Sequence, residues 1–416
     1  MTEHHSKNRG KRGHGCVRER PAKQRGPIKT WELRYSLAKD ASGKRKMATV
    51  PFRGTEKEAD REIMKRISAV NEGKHLNQSN TTVSAFIEEW LKIKRHGDEP
   101  VTPKTLERYA ELLRRHVVPI IGGLKVQKLR SQDIRLMYGQ LLNTGRDDGQ
   151  GLSPQTVRHV HRVLHSALKS AVESELIATS PTATIKAPKV VPPEIEILKS
   201  EQIKHVMESL RDHPVYPLML TALGTGMRRG ELLALRWQDV NLEKGEIHVE
   251  RSIEQTKPSL ADQPSSDSSL TRGLRIKQPK TIHGVRDIAL PGFLTSMLRQ
   301  RWKAQQEDSL ALGLGKAPPE ALVFGTKVGD LRRPDSLTKE WAQAAKSIGL
   351  RVTFHALRHT HASQLIASGL DLLTISRRLG HGNPTITLTV YAKQFSASQE
   401  PVVKALDAAF SGIRTD

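Results

Sequence analysis

The chain has 416 residues, enough for two or three domains with separate cores, and its single cysteine, Cys16, excludes an internal disulfide and a thiolate metal cluster. Lys and Arg number 67 against 44 Asp and Glu, and this net charge of +23 favours a polyanionic partner, because each neutralised phosphate releases counterions. Aromatic residues are only 4% of the chain and no apolar stretch approaches the roughly 18 residues of a spanning helix, so double-stranded DNA is favoured over single strands or a membrane.

The chain begins with a predicted basic tail and a small β domain. Residues 1–13 are polar and basic, a composition typical of disorder. Residues 14–75 contain three β-like stretches, GCVRER, TWELRYSL and KRKMATVPF, which predict a three-stranded sheet. Thr55 and Glu58 form a capping box that opens one helix. Because the domain is rich in Arg and Lys, we expect it to contact DNA; an ordinary β domain with a solvated basic face is the alternative.

Residues 80–180 are predicted to be entirely helical. One helix is marked by apolar residues at amphipathic spacing, namely Val83, Phe86, Ile87, Trp90 and Leu91. Thr102 and Ser153 are each followed by proline, the pattern of an N-cap with proline at the first helical position. The last helix, at 154–176, has an apolar face, and its other faces carry Arg158, His159, His161, Arg162, His165 and Lys169. We expect that basic surface to face phosphates; a solvated face would have the same pattern.

A linker leads into a larger domain. Residues 181–198 contain four prolines and no helical period, which predicts an extended linker. Residues 199–416 combine helical and strand patterns and predict a mixed domain. Within it, the irregular stretch 254–273 is predicted to be a flexible insertion that interrupts an apparent sheet.

The stretch GMRRGELLALRW contains the first candidate site residues. It predicts a helix that starts near Gly226, with an apolar face formed by Leu232, Leu233 and Leu235. Arg228 and Glu231 are three residues apart and therefore share a face, so the carboxylate can hold the guanidinium in one orientation. The planar fork of arginine suits two phosphate oxygens, although a surface ion pair alone would explain this pair equally.

A second helix, in HALRHTHASQL, places His355 and Arg358 at the same spacing, with Leu357 and Leu365 as core candidates. His355 and His359 are also four apart, which allows a zinc site. The stretch lacks the glutamate of the HExxH motif and no cysteine is nearby, so the motif argues against zinc. A structural histidine is the default for any one of these residues alone.

The stretch LGHGNPTITLTVYAK contains the remaining candidates. Gly380 is suited to end the preceding helix in the left-handed conformation, which places His381 in a turn. Asn383 and Pro384 can begin a new element, and Tyr391 lies near its end. Taken alone, Tyr391 would be interpreted as a buried core tyrosine.

Three probable strands, EIHVERSI, LRIKQPK and VRDIALP, lie between the two arginine segments. The last two are separated by TIHG, which resembles a hairpin turn around Gly284. Lys280 is therefore expected at a hairpin tip, where its amine can reach a phosphate. The long insertion before this hairpin leaves Lys277 as the alternative.

In this order and spacing, TGMRRGELLALRW, the hairpin lysine, HALRHTHAS, LGH and the final tyrosine resemble the signature set of the tyrosine recombinases, the lambda-integrase family. The resemblance covers residues from about 14 to 410. It implies a multidomain α+β protein. Residues 14–75 would form an arm-site DNA-binding domain, 80–180 a helical core-binding domain, and 199–416 a mainly helical catalytic domain with a small antiparallel sheet and a C-terminal tail helix.

The resemblance also implies a role for each candidate. Tyr391 would attack a scissile phosphate, form a 3′-phosphotyrosyl link and release a 5′-hydroxyl. Arg228 and Arg358 would clamp the non-bridging oxygens, and Glu231 would support Arg228. Because the phosphotyrosine conserves the energy of the broken bond, the mechanism implies neither a cofactor nor a metal ion.

The remaining roles concern proton transfer. His355 and His381 would hydrogen-bond the phosphate, with His355 as the acid or base partner of the tyrosine. Lys280 would protonate the leaving 5′-oxygen. His359 and His361 are expected to be helix-surface or packing groups.

The function implied by the resemblance is site-specific recombination that integrates and excises a mobile element in the cytoplasm of a bacterial host. The partners implied are core and arm attachment sites in double-stranded DNA, a homotetramer on that DNA, and an excisionase or DNA-bending factor. In the tail, Val402, Val403, Leu406 and Ala409 have helical spacing, which allows docking on a neighbouring subunit or on the same domain. A type IB topoisomerase and a non-catalytic DNA-binding protein are the alternatives.

Overall fold

The structure is a computed structural model that describes residues 9–11, 15–19, 28–39, 45–71, 79–191, 195–257, 273–278, 282–391, 403 and 406–408. The chain divides into two compact units, Met1–Val190 and Val191–Asp416. The predicted fold class is confirmed. Along the chain there is first a small sheet with one helix, then a helical bundle, and then a mainly helical domain with antiparallel strands. None of the described helices is long and apolar enough to cross a bilayer.

An antiparallel sheet and one helix form the start of the first unit. The elements are β1 (Arg9–Lys11), β2 (Gly15–Glu19), β3 (Lys29–Lys39), β4 (Arg45–Gly54) and α1 (Glu56–Asn71), with the strands in the order β1-β2-β3-β4. Trp31, Leu33 and Tyr35 alternate along one face of β3 and are buried with Ala59 and Ile63 of α1. The predicted capping box opens α1, because the Thr55 amide donates to Glu58 Oε2 at 2.8 Å.

The basic tail differs from its prediction at three residues. Arg9–Lys11 pair antiparallel with 15–17 as a short fourth strand at the sheet edge. The predicted disorder is therefore wrong at Arg9–Lys11, because main-chain pairing with a neighbouring strand orders a segment that has no apolar pattern of its own. Residues 1–8, 12 and 13 lie outside the described residues.

The rest of the first unit is helical, as predicted. Its elements are α2 (Val83–His96), α3 (Pro103–Leu112), a π-helical turn (Leu113–Val117), α4 (Val118–Ile121), α5 (Ser131–Thr144) and α6 (Pro154–Glu173). The side chains of Thr102 and Ser153 cap α3 and α6 by accepting backbone N–H groups. The apolar faces of α2 and α6 meet in one core, in which Trp90 is almost fully buried.

Two histidines of the basic surface of α6 form hydrogen bonds within the first unit. His161 Nδ1 lies 3.0 Å from the Tyr138 hydroxyl, and His165 Nδ1 lies 2.9 Å from the Thr182 hydroxyl. Each of these two histidines therefore has one ring nitrogen bonded within its own unit, and the approach of the six basic side chains to phosphates stays a prediction.

The second unit contains the remaining elements. The helices are α7 (Ser200–Ser209), α8 (Tyr216–Thr225), α9 (Arg229–Ala234), α10 (Gly292–Ala311), α11 (Pro334–Ser347), α12 (Phe354–Ala367), α13 (Leu372–Leu379) and α14 (Pro384–Tyr391). The strands are β5 (Val240–Asn241), β6 (Glu246–Val249), β7 (Ser252–Gln255), β8 (Leu274–Lys277) and β9 (Arg286–Ala289). A core around Trp341 and Phe324 packs α7 to α12 on the strands, whereas α13 and α14 form a separate cluster with α12.

The strands of this unit pair differently from the prediction. β9 pairs with β6, which sets Ile247 opposite Ile288, whereas β8 pairs with β7. The predicted hairpin between LRIKQPK and VRDIALP is therefore wrong, because Ile282–Gly284 form a 3₁₀ turn that carries the chain to a different sheet. Burial of Ile247 and Ile288 against each other favours this pairing.

Candidate active site

Arg228 is positioned by the junction between α8 and α9. Gly226 ends α8 in the left-handed conformation, with φ of 66°, and a Cβ there would lie 2.6 Å from His361 Cδ2. The predicted helix is present, but it begins three residues after Gly226: α9 starts at Arg229, with Arg228 as its N-cap. The predicted packing is confirmed, since Leu232, Leu233 and Leu235 are buried.

The predicted pairing of Arg228 with Glu231 is present and is not a surface ion pair. Arg228 Nη1 donates to Glu231 Oε1 at 2.7 Å, and the Arg228 amide donates to Oε2 at 2.9 Å. Only 4% of the Glu231 side chain is exposed. Burial alone would raise the pKa of this carboxyl, but the charges of Arg286 and Arg228 and their hydrogen bonds outweigh it and lower the pKa. Glu231 is therefore a buried carboxylate anchor.

Arg286 is a residue that the sequence analysis missed. Its Nη2 donates to Glu231 Oε2 at 2.9 Å, and its Nε donates to the Arg378 carbonyl at 2.7 Å. Arg286 lies at the start of β9 and connects the anchor carboxylate to the end of α13. The sequence VRDIALP predicts a strand, but it does not show whether the arginine is buried or exposed to solvent.

Arg358 lies inside the protein on α12, where only 3% of the residue is exposed. Its Nη1 donates to the Gly226 carbonyl at 2.6 Å, and its Nη2 donates to the Leu379 carbonyl at 2.7 Å. Burial, followed by the charge of Arg228, lowers the pKa of Arg358 to about 9, so the guanidinium remains charged at neutral pH. The buried cation is thus held by main-chain oxygens.

The two guanidinium groups are fixed side by side by consecutive carbonyls. Arg228 Nη2 donates to the Gly380 carbonyl at 2.9 Å, one residue beyond the Leu379 carbonyl that binds Arg358. Two like charges held this close repel each other, which is why Arg228 contributes to the lowered pKa of Arg358. An anion bound between them would relieve that repulsion, so the pair favours phosphate.

His381 is bonded to one of these arginines. As predicted, Gly380 ends α13 in the left-handed conformation and His381 follows in the turn. Arg358 Nη2 lies 2.8 Å from His381 Nε2, and Nδ1 lies 2.7 Å from the Thr387 hydroxyl. Because arginine can only donate, Nε2 accepts and Nδ1 carries the proton. Burial, and then the charge of Arg358, lowers the pKa of His381 to about 4, so the ring is neutral.

Tyr391 is the last residue of α14 and is 1% exposed. It belongs to the same buried cluster as Ile366, Ile375 and Leu379, as a core tyrosine would. Its hydroxyl nevertheless lies 2.7 Å from His359 Nδ1. Burial raises the pKa of Tyr391 to about 12, opposed by the charge of Arg358. The phenol is therefore protonated at neutral pH and needs an acceptor before it can attack.

This contact differs from the prediction for the histidines of α12. The hydrogen-bond partner of the Tyr391 hydroxyl is His359 and not His355, a contact that the sequence analysis did not predict. His361 is a packing group as predicted, because its Nδ1 bonds the Leu223 carbonyl at 2.7 Å and its Nε2 accepts from Arg378 at 3.0 Å.

His355 keeps solvent access and contacts His359 edge to face, with the ring centroids 4.7 Å apart. Desolvation in the crowded pocket, followed by the charges of His359 and Arg358, lowers the pKa of His355 to about 4. Neither ring nitrogen of His355 has a hydrogen bond within the described part of the chain. The ring is therefore available to a bound ligand.

The two lysine candidates have different outcomes. Lys280 lies outside the described residues. Lys277, at the end of β8, forms an ion pair with Glu254 across the strand pair. The geometry thus provides no free amine at Lys277.

Arg286→Met is expected to destabilise the second unit by roughly 3 kcal/mol, because one partner of a buried ion pair is removed. In thermal unfolding this corresponds to a decrease in Tm of about 6 to 12 °C. Arg299→Met is the matched control, since Arg299 is exposed and donates to the Leu242 carbonyl. Equal Tm values for the two variants would show that Arg286 does not stabilise Glu231.

Comparison with known proteins identifies relatives along most of the chain. Residues 196–397 match the family model described as the phage integrase family, and residues 82–142 match the N-terminal SAM-like domain of phage integrases. A tyrosine recombinase XerC-like protein of Caldanaerobacter subterraneus is 28% identical over 396 residues, which cover 91% of this chain and 96% of that protein. An integrase of Streptomyces ambofaciens is 27% identical, covering 92% of this chain and 93% of that protein.

Solved structures share the fold. The Tn1549 transposon integrase in complex with transposon right end DNA aligns with a TM-score of 0.61 at 18% identity, covering 80% of this chain and all of that one. A lambda integrase tetramer bound to a Holliday junction aligns with a TM-score of 0.52 at 16% identity, covering 84% of this chain and 94% of that one. At these identities the structural matches establish the fold.

Proposed function

Because the chain belongs to the phage integrase family of tyrosine recombinases, we propose that it is a site-specific DNA recombinase that integrates and excises a mobile element. The observation that carries this proposal is the fixed pair of guanidinium groups of Arg228 and Arg358 in the same pocket as the Tyr391 phenol. A scissile phosphate bound by the pair would be held for attack. The two fixed cations would stabilise the negative charge that develops on the phosphate in the transition state, which is the main way in which enzymes stabilise such transition states.

In the proposed reaction the Tyr391 oxygen attacks phosphorus and forms a 3′-phosphotyrosyl link while the bond to the 5′-oxygen breaks. Arg228 and Arg358 bind the non-bridging oxygens, and Glu231 holds Arg228 in place. His355 donates a hydrogen bond to the phosphate. His381 can donate one only if its Nε2 exchanges Arg358 for the phosphate and takes up a proton. Lys280 is proposed to protonate the leaving 5′-oxygen.

The domains are proposed to divide DNA binding between them. Residues 14–75 would bind arm sites, 80–180 would bind the core site, and 199–416 would carry out the chemistry, with 181–198 as the linker. The net charge of +23 supports a DNA partner. The lambda integrase tetramer on a Holliday junction supports a homotetramer here as well. An excisionase or DNA-bending factor, and a location in the bacterial cytoplasm, complete the proposal.

A plasmid that carries two attachment-site sequences tests this function. These sequences are obtained as the direct repeats that flank the element encoding the protein. We expect the purified protein to join the two sites and delete or invert the DNA between them, as resolved by restriction mapping. Relaxation of supercoils without joined sites would instead support the topoisomerase, and binding without any strand cleavage would support the non-catalytic alternative.

A further inference from the structure

The proton of Tyr391 has a defined acceptor in the pocket. The Tyr391 oxygen and His359 Nδ1 are 2.7 Å apart, and their rings meet at an interplanar angle of 62°. The two residues lie on different helices, α14 and α12, so their contact depends on tertiary packing and not on helix spacing.

The charge states of the two groups determine the direction of this hydrogen bond. Desolvation, and then the charge of Arg358, lowers the pKa of His359, so its ring is neutral at neutral pH. The pKa of Tyr391 is raised, so the phenol keeps its proton. The phenol therefore donates to Nδ1, and the ring proton of His359 is on Nε2.

We propose that His359 is a catalytic residue that accepts the proton of Tyr391 during strand cleavage and returns it during rejoining. This inference rests on the proposed function. In cleavage the bond between the tyrosine oxygen and phosphorus forms, the bond from phosphorus to the 5′-oxygen breaks, and the phenolic proton moves to Nδ1. The 5′-oxygen takes its proton from a separate donor. In rejoining, the protonated His359 gives its proton back to the departing phenolate.

A carboxylate is placed to support the protonated imidazole. Glu196 raises the pKa of His359 and opposes the effect of Arg358. Its Oε2 accepts a hydrogen bond of 3.1 Å from the Thr353 amide at the start of α12. The charged or titratable groups that face His359 are thus Glu196 from the segment before α7, Arg358 and His355 from α12, and Tyr391 from α14.

His355 is the competing acceptor, and the geometry argues against it. Its contact in the pocket is the ring of His359, and no hydrogen bond joins it to Tyr391 among the described residues. Its pKa is lowered to about 4, mainly by desolvation, so His355 is a weak base in this site. The two histidines can therefore have different roles: His359 accepts the proton of Tyr391, and His355 hydrogen-bonds the phosphate.

His359→Asn tests this role, because the asparagine oxygen can occupy the position of Nδ1 and accept a hydrogen bond but cannot take up the proton. The substrate is a nicked duplex oligonucleotide carrying the direct repeat that flanks the element, on which covalent complex accumulates. We expect single-turnover cleavage at pH 7 to be slower by about 100-fold or more. Binding of the oligonucleotide should be unchanged, and His205→Asn, an exposed histidine of the same unit, should cleave at the normal rate.

The pH profile separates proton transfer from positioning. Without His359 the attacking species is the rare phenolate, so the rate of His359→Asn should rise about tenfold per pH unit. The unsubstituted protein should keep a constant rate until the pH falls below the ordinary histidine pKa of about 6.5, because its folded pKa is lowered. A 5′-bridging phosphorothiolate substrate, whose leaving thiolate needs no proton, should not restore the variant.

Cleavage by His359→Asn at the normal rate, or its restoration by the phosphorothiolate, would overturn the role of His359 at the tyrosine. Tyr391→Phe, measured in parallel, distinguishes this failure from failure of the proposed function. If Tyr391→Phe forms no covalent complex while His359→Asn is fully active, only the role of His359 is lost. Covalent complex formed by Tyr391→Phe would overturn the proposed function itself.

Discussion

Tyr391→Phe is expected to abolish covalent attachment of the protein to DNA, with a rate at least about 10⁴-fold lower, because phenylalanine has no nucleophile. The ring should stay in its pocket, since the substitution removes only the hydroxyl that bonds His359. The loss of that hydrogen bond should cost about 1 kcal/mol of stability. The measurement is the yield of complexes that survive denaturing electrophoresis.

Tyr138→Phe is a matched control for this experiment. Tyr138 is also buried and also bonds a histidine, His161, at 3.0 Å, but it lies in the helical part of the first unit. The control should lose similar stability and keep its cleavage rate. Equal loss of cleavage in both variants would mean that the effect of Tyr391→Phe arises from stability and not from the nucleophile.

Arg358→Lys is expected to slow cleavage on the order of 10³-fold although it conserves the charge. The guanidinium spans the Gly226 and Leu379 carbonyls and His381, and a single ammonium cannot reach all three directions. Burial already lowers the pKa of Arg358, and it would lower that of a lysine from a smaller starting value. The charge of the variant should therefore be lost progressively as pH rises, and its relative activity should fall.

Single-turnover cleavage across a pH series measures this effect. Arg301→Lys is the control, because Arg301 donates to the Val323 carbonyl and lies over the Phe324 ring outside the pocket. It is expected to change stability but not the rate of the folded protein. An Arg358→Lys variant with the rate of Arg301→Lys would show that the arginine fork is not needed.

The features that the sequence predicted well depend on local chemistry. Thr102 and Ser153 cap helices, and the proline that follows each of them in the sequence marks the first helical position. Gly380 ends a helix because the left-handed conformation favours glycine. The apolar faces of the helices were predicted for the same reason. Arg228 and Glu231 were paired correctly, although Arg228 is the N-cap of α9 and Glu231 its third residue, so their contact is that of a capping box.

The features that the sequence did not predict depend on contacts between distant segments. His359 bonds Tyr391 across 32 positions, and periodicity along α12 cannot show which histidine faces another helix. Arg286 reaches Glu231 across 55 positions from a strand. The prediction of strand pairing was wrong for the same reason. Both β6 and β8 offered apolar residues to β9, and the local turn residues favoured β8, whereas β9 pairs with β6. The neighbouring guanidinium groups are also a tertiary feature, set by the carbonyls of Leu379 and Gly380.

The most direct test of the central claim is to identify the residue that becomes covalently joined to DNA. Complex trapped on the nicked oligonucleotide is digested with protease and nuclease, and the peptide that retains a nucleotide is sequenced by mass spectrometry. The account predicts a nucleotide linked through its 3′-phosphate to Tyr391, with a 5′-hydroxyl on the released strand. A nucleotide on any other residue, or a free 3′-hydroxyl at the cut, would contradict it.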